Sequence, residues 1–236
     1  MIYFAHRGES AHAPANSLAA FALARQNGAT CYELDVHLSK DKQLVVHHDY
    51  NLGTDTSCDL DIKDATLSDL RACYLVHHFD ADLVVHPPLL PEVMHVISDE
   101  LQLVNIELKN DDNCYPGIEQ VVWHYIQELG PQALKTILFS SFDFPTLQRL
   151  RCLAPHAQIG LLTRRFDPEE AQSLNAYSVH MNKTRITAEI IRTCHAQNRR
   201  VFVYTVNTIE EEQKLAQMGV DGIFTDDPAL FLHRTH

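Results

Sequence analysis

Eight short apolar runs recur along the 236-residue chain, and most are followed by a stretch with helical apolar spacing. The runs cover residues 2–5, 31–37, 101–107, 136–140, 158–162, 177–181, 201–205 and 222–225. The intervening segments carry helix-end signals. Asn16 or Ser17 precedes a helix that stops at Gly28, Phe144-Pro145 opens one that ends before Pro155, and Thr208 opens one closed by Gly219. Strand and helix alternating in this number predict an α/β fold, a closed parallel TIM (β/α)8 barrel with its helices outside. The rival, an open doubly wound sheet, usually shows a Gly-x-Gly-x-x-Gly loop after a strand, and this chain has none. No break in composition interrupts the alternation, so residues 1–236 are expected to form one domain. One connection is unusually long. After a strand-like piece at 43–47, helical spacing near 67–75 and 91–98 precedes the third barrel strand. Residues 50–100 are therefore expected to be an insertion between strands 2 and 3, lying over the barrel mouth.

The charge balance narrows the partners. Nineteen Lys and Arg against 31 Asp and Glu leave a formal charge of −12, which disfavours nucleic acid and anionic membranes, since both need a positive surface. No apolar run approaches the ~20 residues of a membrane helix, so no stable membrane insertion is expected. The N-terminus has no basic segment leading into an apolar one, as a secretory signal would, and the expectation is a soluble cytoplasmic protein. No sequence signal bears on oligomeric state. None of the six cysteines forms a Cys-x-x-Cys pair, and Cys31 and Cys152 sit among apolar residues. Reduced, buried thiols are expected.

Side-chain alternation makes the polar residues of the strands informative. In Cys31-Tyr32-Glu33-Leu34-Asp35-Val36-His37 the even positions are apolar and suit the helical ring, which turns Glu33 and Asp35 inward. Asn105-Ile106-Glu107-Leu108-Lys109 repeats the arrangement, with Glu107 and Lys109 inward. Three carboxylates converging at strand ends repel one another unless a cation or proton is shared. A divalent Mg²⁺ or Ca²⁺ ion suits hard oxygen ligands in that number; a structural ion-pair network with Lys109 or Arg7 is the alternative. His6 and Arg7 end the first strand, and His47, His48 and Asp49 end the accessory one, where alternation lets only one of the two histidines face the site. His180 faces inward without a second supporting signal, and the remaining histidines, His78 and His236 among them, read as surface or satisfied core residues.

Read together, these residues resemble the glycerophosphodiester phosphodiesterase family. Ala5-His6-Arg7-Gly8 followed by Ala13-Pro14-Ala15-Asn16-Ser17 is similar to its opening, and Glu33-Leu34-Asp35-Val36 to its Glu-x-Asp-Val strand. Val45-Val46-His47-His48-Asp49 resembles its accessory strand, which selects His48, and Ile106-Glu107-Leu108-Lys109 its Glu-x-Lys strand. Val203–Asn207 and Gly219–Asp226 resemble two further signatures, so the ordered set runs from residue 4 to about 230. The resemblance implies a barrel enzyme that hydrolyses glycerophosphodiesters to an alcohol and glycerol 3-phosphate with one divalent cation. Carried over by motif, Glu33, Asp35 and Glu107 hold the metal, His6 and His48 are the acid/base pair, and Arg7 and Lys109 bind the phosphate. It leaves open whether a glycerol hydroxyl attacks first, giving a cyclic phosphate, or water attacks directly.

Two departures stand out. The family's Glu in Pro-Glu-Asn-Thr is Ala15, and the Arg expected just after His-Asp is absent from residues 51–56. They motivate two alternatives, a lysophospholipid-type phosphodiesterase of the same family or a non-catalytic phosphodiester-binding barrel. A third, Lys109 as a Schiff-base nucleophile, needs a lowered lysine pKa, whereas neighbouring carboxylates raise it.

Overall fold

A computed structural model describes residues 1–77, 79 and 84–233; His78 and His236 lie outside them. The chain opens with β1 (Ile2–His6), α1 (Leu18–Gln26) and β2 (Cys31–Leu38). A short β3 (Leu44–Val46) folds back antiparallel on the end of β2, with Val36 opposite Val46. Next come α2 (Leu67–Ala72), α3 (Leu90–Ile97), β4 (Leu103–Leu108), α4 (Ile118–Glu128), the single turn α5 (Ala133–Thr136) and β5 (Ile137–Ser141). The remainder alternates strictly: α6 (Phe144–Leu153), β6 (Gln158–Leu162), α7 (Pro168–Ser173), β7 (Ser178–Asn182), α8 (Ala188–Ala196), β8 (Arg200–Tyr204), α9 (Ile209–Met218), β9 (Gly222–Thr225) and α10 (Ala229–Leu232). Apart from β3, the strands run parallel, and β1 pairs with both β2 and β9, which closes the barrel. The fold is the TIM barrel that the alternation predicts.

The helix ends follow the signals in the sequence. Ser17 caps α1 by accepting from the Ala20 N–H, Asp143 accepts from Thr146 at the start of α6, and Gly219 closes α9 at φ +92°. Strand parity separates two cores. Residues such as Leu34, Ile106, Phe139, Val179 and Val203 face the helices, while Phe4, Cys31, Leu103, Leu138, Phe202 and Phe224 fill the lower interior. That apolar plug closes the barrel below the carboxyl ends of the strands, so polar side chains collect above it.

The long connection divides into two parts. Helix α3 packs on α1 and takes a place in the outer ring. Residues 52–73 instead gather a small core of their own from Leu52, Ile62, Ala65, Leu70 and Cys73 against Val45 of β3. A disulfide joins Cys58 to Cys73 across this unit, with Cα atoms 5.5 Å apart. This corrects the expectation of six reduced thiols: Cys31, Cys114, Cys152 and Cys194 are free, and Cys152 is exposed. The pair is made by the tertiary approach of two loop segments, for which spacing in the sequence carries no signature. None of the described helices is long and apolar enough to cross a membrane.

Candidate active site

The carboxyl ends of β1, β2, β4 and β8 surround a cavity of about 140 Å³ lined by His6, Arg7, Glu33, His48, Glu107 and Lys109, among others. Strand geometry delivers most of these groups. Glu33 and Asp35 share the inward face of β2, and register sets Asp35 beside Glu107 on β4. Carboxylate oxygens of Glu33, Asp35 and Glu107 all lie within 4.8 Å of one another. At the end of β1 the chain turns through left-handed conformations at Arg7 (φ +59°) and Gly8 (φ +85°). A Cβ at Gly8 would stand 2.6 Å from the backbone carbon of Ala20, so glycine is required where this turn meets α1. The turn presents the Arg7 N–H to Glu33 Oε2 at 3.2 Å and sets Arg7 Nε 3.1 Å from Asp35 Oδ2. Lys109 Nζ completes the cluster, 3.1 Å from Glu107 Oε1 and 3.6 Å from Asp35 Oδ1.

Three buried or half-buried carboxylates facing two cations leave an excess negative charge, and the protonation energetics show the strain. Burial, with Asp35 alongside, drives the Glu33 carboxyl well above its ordinary range. Burial also lifts Glu107 to about 7, against the pull of Lys109. Asp35 resists burial because Arg7 and Lys109 flank it, and it is held below the usual carboxylate range. Although burial opposes it, Lys109 is held above its ordinary value by Glu107 and Asp35, which disfavours a Schiff-base role. Asp35 Oδ1 is buried without a hydrogen-bond partner among the described residues. An unsatisfied acceptor inside a cluster of hard oxygens with excess negative charge fits a divalent cation.

Two of the histidines lining the cavity, His6 and His48, are each held by a carboxylate. His6 Nδ1 lies 2.6 Å from Asp226 Oδ1, leaving Nε2 3.8 Å from Glu33 Oε2. Asp226 is fixed in turn: Ser10 Oγ donates to it at 3.1 Å and Asn207 Nδ2 at 2.6 Å. Although burial opposes it, the hydrogen bond from His6 holds the Asp226 carboxyl at about 2. His48 Nδ1 lies 2.6 Å from Asp49 Oδ1. Burial lowers the His48 pKa, with Arg7 and Lys109 acting in the same direction. His47, on the other face of the accessory strand, is buried, with Nε2 3.2 Å from Asp55 Oδ1.

Residues 6–230 match the sequence profile of the Glycerophosphoryl diester phosphodiesterase family. The chain belongs to this family. It is 35% identical over 236 residues to the glycerophosphodiester phosphodiesterase of Caldanaerobacter subterraneus subsp. tengcongensis, covering 98% of this chain and 96% of that one. Among solved structures it resembles an Oleispira antarctica phosphodiesterase in complex with the product sn-glycerol-3-phosphate. The TM-score is 0.87 and the identity 27%, over 97% of this chain and 94% of that one. It also resembles the glycerophosphodiester phosphodiesterase of Thermotoga maritima, with a TM-score of 0.76 and 29% identity over 98% and 97% of the two chains.

The structure brings His6, Arg7, Glu33, His48, Glu107 and Lys109 to one cavity, with Asp35 beneath them. Two departures from the family pattern have local consequences. Ala15 is exposed in a groove shared with Arg7, Ser10, Asn207 and Asp226, and Arg7 draws its close carboxylate contact from Asp35. After His48-Asp49, where the family carries Arg, the Asn51 side chain caps a short turn and bonds Asp61. The motif reading passed over Asp226 and Asn207 as site residues. The parity of β9 could have found Asp226, because Gly222, Phe224 and Asp226 share one face and Phe224 points into the barrel.

Proposed function

We propose that this protein hydrolyses glycerophosphodiesters to an alcohol and glycerol 3-phosphate, with Glu33, Asp35 and Glu107 holding one divalent cation and His6 and His48 moving the protons. The observation that carries the reading is the cavity itself, which gathers two carboxylate-backed histidines, two cations and a three-carboxylate cluster. With a divalent cation offsetting the three carboxylates, Arg7 and Lys109 would supply the positive charge that an anionic phosphodiester needs in a chain of net charge −12. When bound, a Mg²⁺ or Ca²⁺ ion would neutralise the three carboxylates and offset negative charge building on the phosphoryl oxygens.

The residues divide the proton work by their surroundings. His48, pushed toward its neutral form by burial and by Arg7 and Lys109, takes the proton from the attacking oxygen as it bonds to phosphorus. Where that oxygen is the substrate's own glycerol hydroxyl, water opens the resulting cyclic phosphate in a second displacement; where it is water, glycerol 3-phosphate forms directly. His6, oriented through Nδ1 by Asp226, gives a proton from Nε2 to the oxygen of the departing alcohol as that P–O bond breaks. The carboxylate behind His6 stabilises the imidazolium and, once Nε2 has given up its proton, keeps the remaining one on Nδ1. The test is hydrolysis of glycerophosphocholine by the wild type, His6→Ala and His48→Ala. Turnover should fall ~10²–10⁴-fold in each variant while the fold is kept; unchanged turnover in both would remove the acid/base assignment.

A further inference from the structure

Two polar residues at the inner wall of the cavity are left over from this chemistry. His180 on β7 and Asn105 on β4 both line the cavity and are nearly inaccessible to solvent, at 1% and 2% exposure. Each spends one polar atom on a neighbouring serine: His180 Nε2 lies 2.8 Å from Ser178 Oγ, and Asn105 Nδ2 donates to Ser140 Oγ at 3.0 Å. The other atom of each, His180 Nδ1 and Asn105 Oδ1, is buried with no hydrogen-bond partner among the described residues. A buried polar group left unpaired costs about 1–3 kcal/mol, so two of them on residues that line one cavity point to a ligand that pairs with both.

The surroundings say what kind of ligand. The His180 ring packs at a tilt against Phe202 and Phe224, with centroids 5.3 and 5.2 Å away. Gly160 on the adjacent β6 makes room for it, since a Cβ there would stand 2.5 Å from Cε1 and Nε2 of the imidazole. Burial drives the His180 pKa down to about 3, so the ring is neutral in ordinary buffers. The wall therefore offers an amide oxygen and a neutral imidazole nitrogen, with no formal charge on either. That chemistry suits an uncharged hydroxyl, which can donate its one proton to Asn105 Oδ1 and accept from His180 Nδ1–H when Nε2 accepts from Ser178 Oγ.

Resting on the phosphodiesterase reading above, we infer that His180 and Asn105 bind the terminal hydroxyl of the substrate's glycerol arm and so select glycerol against other alcohols on that side of the phosphate. The head group then faces the open mouth, where these two residues place no demand on its identity. A site built around a hydroxyl discriminates strongly against an analogue lacking it, because its own buried groups are left unpaired.

The experiment compares glycerophosphocholine with the phosphocholine ester of propane-1,2-diol, which keeps the hydroxyl next to the ester carbon and lacks only the terminal one. Wild-type kcat/KM should favour the glycerol compound by about 10- to 100-fold. In His180→Phe, checked for a cooperative melt, the preference should collapse below about 3-fold, and His180→Gln, which keeps polar atoms, should recover part of it. Asn105→Ala on a different strand is the second variant and should show the same collapse. No wild-type preference, or a preference undiminished in both His180→Phe and Asn105→Ala, overturns the inference and leaves the phosphodiesterase reading standing. Hydrolysis of neither ester by the wild type overturns that reading and the inference with it.

Discussion

Burial of His180 makes a quantitative statement about stability and pH. The side chain is 1% exposed between Phe202 and Phe224, and burial holds its pKa at about 3 against 6.5 for a free imidazole. Below pH 6.5 the unfolded chain takes up a proton at this position that the folded chain refuses until about pH 3. The stability contributed here is thus full above the unfolded value and is lost as the pH falls toward 3. One pKa unit corresponds to about 1.4 kcal/mol, so moving from pH ~7.5 to ~5 should cost about 2 kcal/mol at this site. His180→Phe removes the titrating group, and any packing defect it introduces is present at both pH values and cancels. Urea unfolding of the wild type and the variant at the two pH values gives the comparison. The wild type should lose about 2 kcal/mol more than the variant on acidification. Equal losses would refute the neutral, buried imidazole and weaken the case that it recognises a hydroxyl.

Other consequences are as direct. Asp226→Asn keeps the shape beside His6 but removes the charge that stabilises its imidazolium; kcat should fall ~10- to 10³-fold with KM changing little, and an unchanged kcat would remove Asp226 from the catalytic apparatus. Thiol titration of the denatured, unreduced protein should find four free cysteines and six after reduction, matching the Cys58–Cys73 bridge and the four free thiols. Reduction should destabilise the unit around Leu52 and Ile62, by up to about 3 kcal/mol on chain-entropy grounds for a loop of this length; six thiols without reductant would exclude the bridge.

Much of the site was legible because a strand's two-residue period converts sequence into direction. Tyr32, Leu34 and Val36 face the helices, so Glu33 and Asp35 face inward, and the same parity on β4 delivers Glu107 to the cluster. What escaped depends on closure of the barrel. His6 and Asp226 stand 220 positions apart and meet only because β1 pairs with β9. The Cys58–Cys73 bridge belongs to the same class, since it depends on how residues 52–73 fold on Val45. His180 was seen to face inward, but its significance rests on an unpaired nitrogen and on the space left by Gly160, two properties of packing. Apolar periodicity also marked the helix near residues 91–98, whereas its place beside α1 in the outer ring emerges only in three dimensions.

The central claim, a phosphodiesterase whose buried carboxylates work through a divalent cation, is tested by one measurement. Purified protein is freed of metal with a chelator, given glycerophosphocholine, and assayed for glycerol 3-phosphate before and after Mg²⁺ or Ca²⁺ is restored. The account predicts product only after the ion returns, and a Glu33→Gln, Asp35→Asn double variant that the ion does not rescue. Full activity after exhaustive chelation, or no product from the metal-loaded wild type, would contradict it.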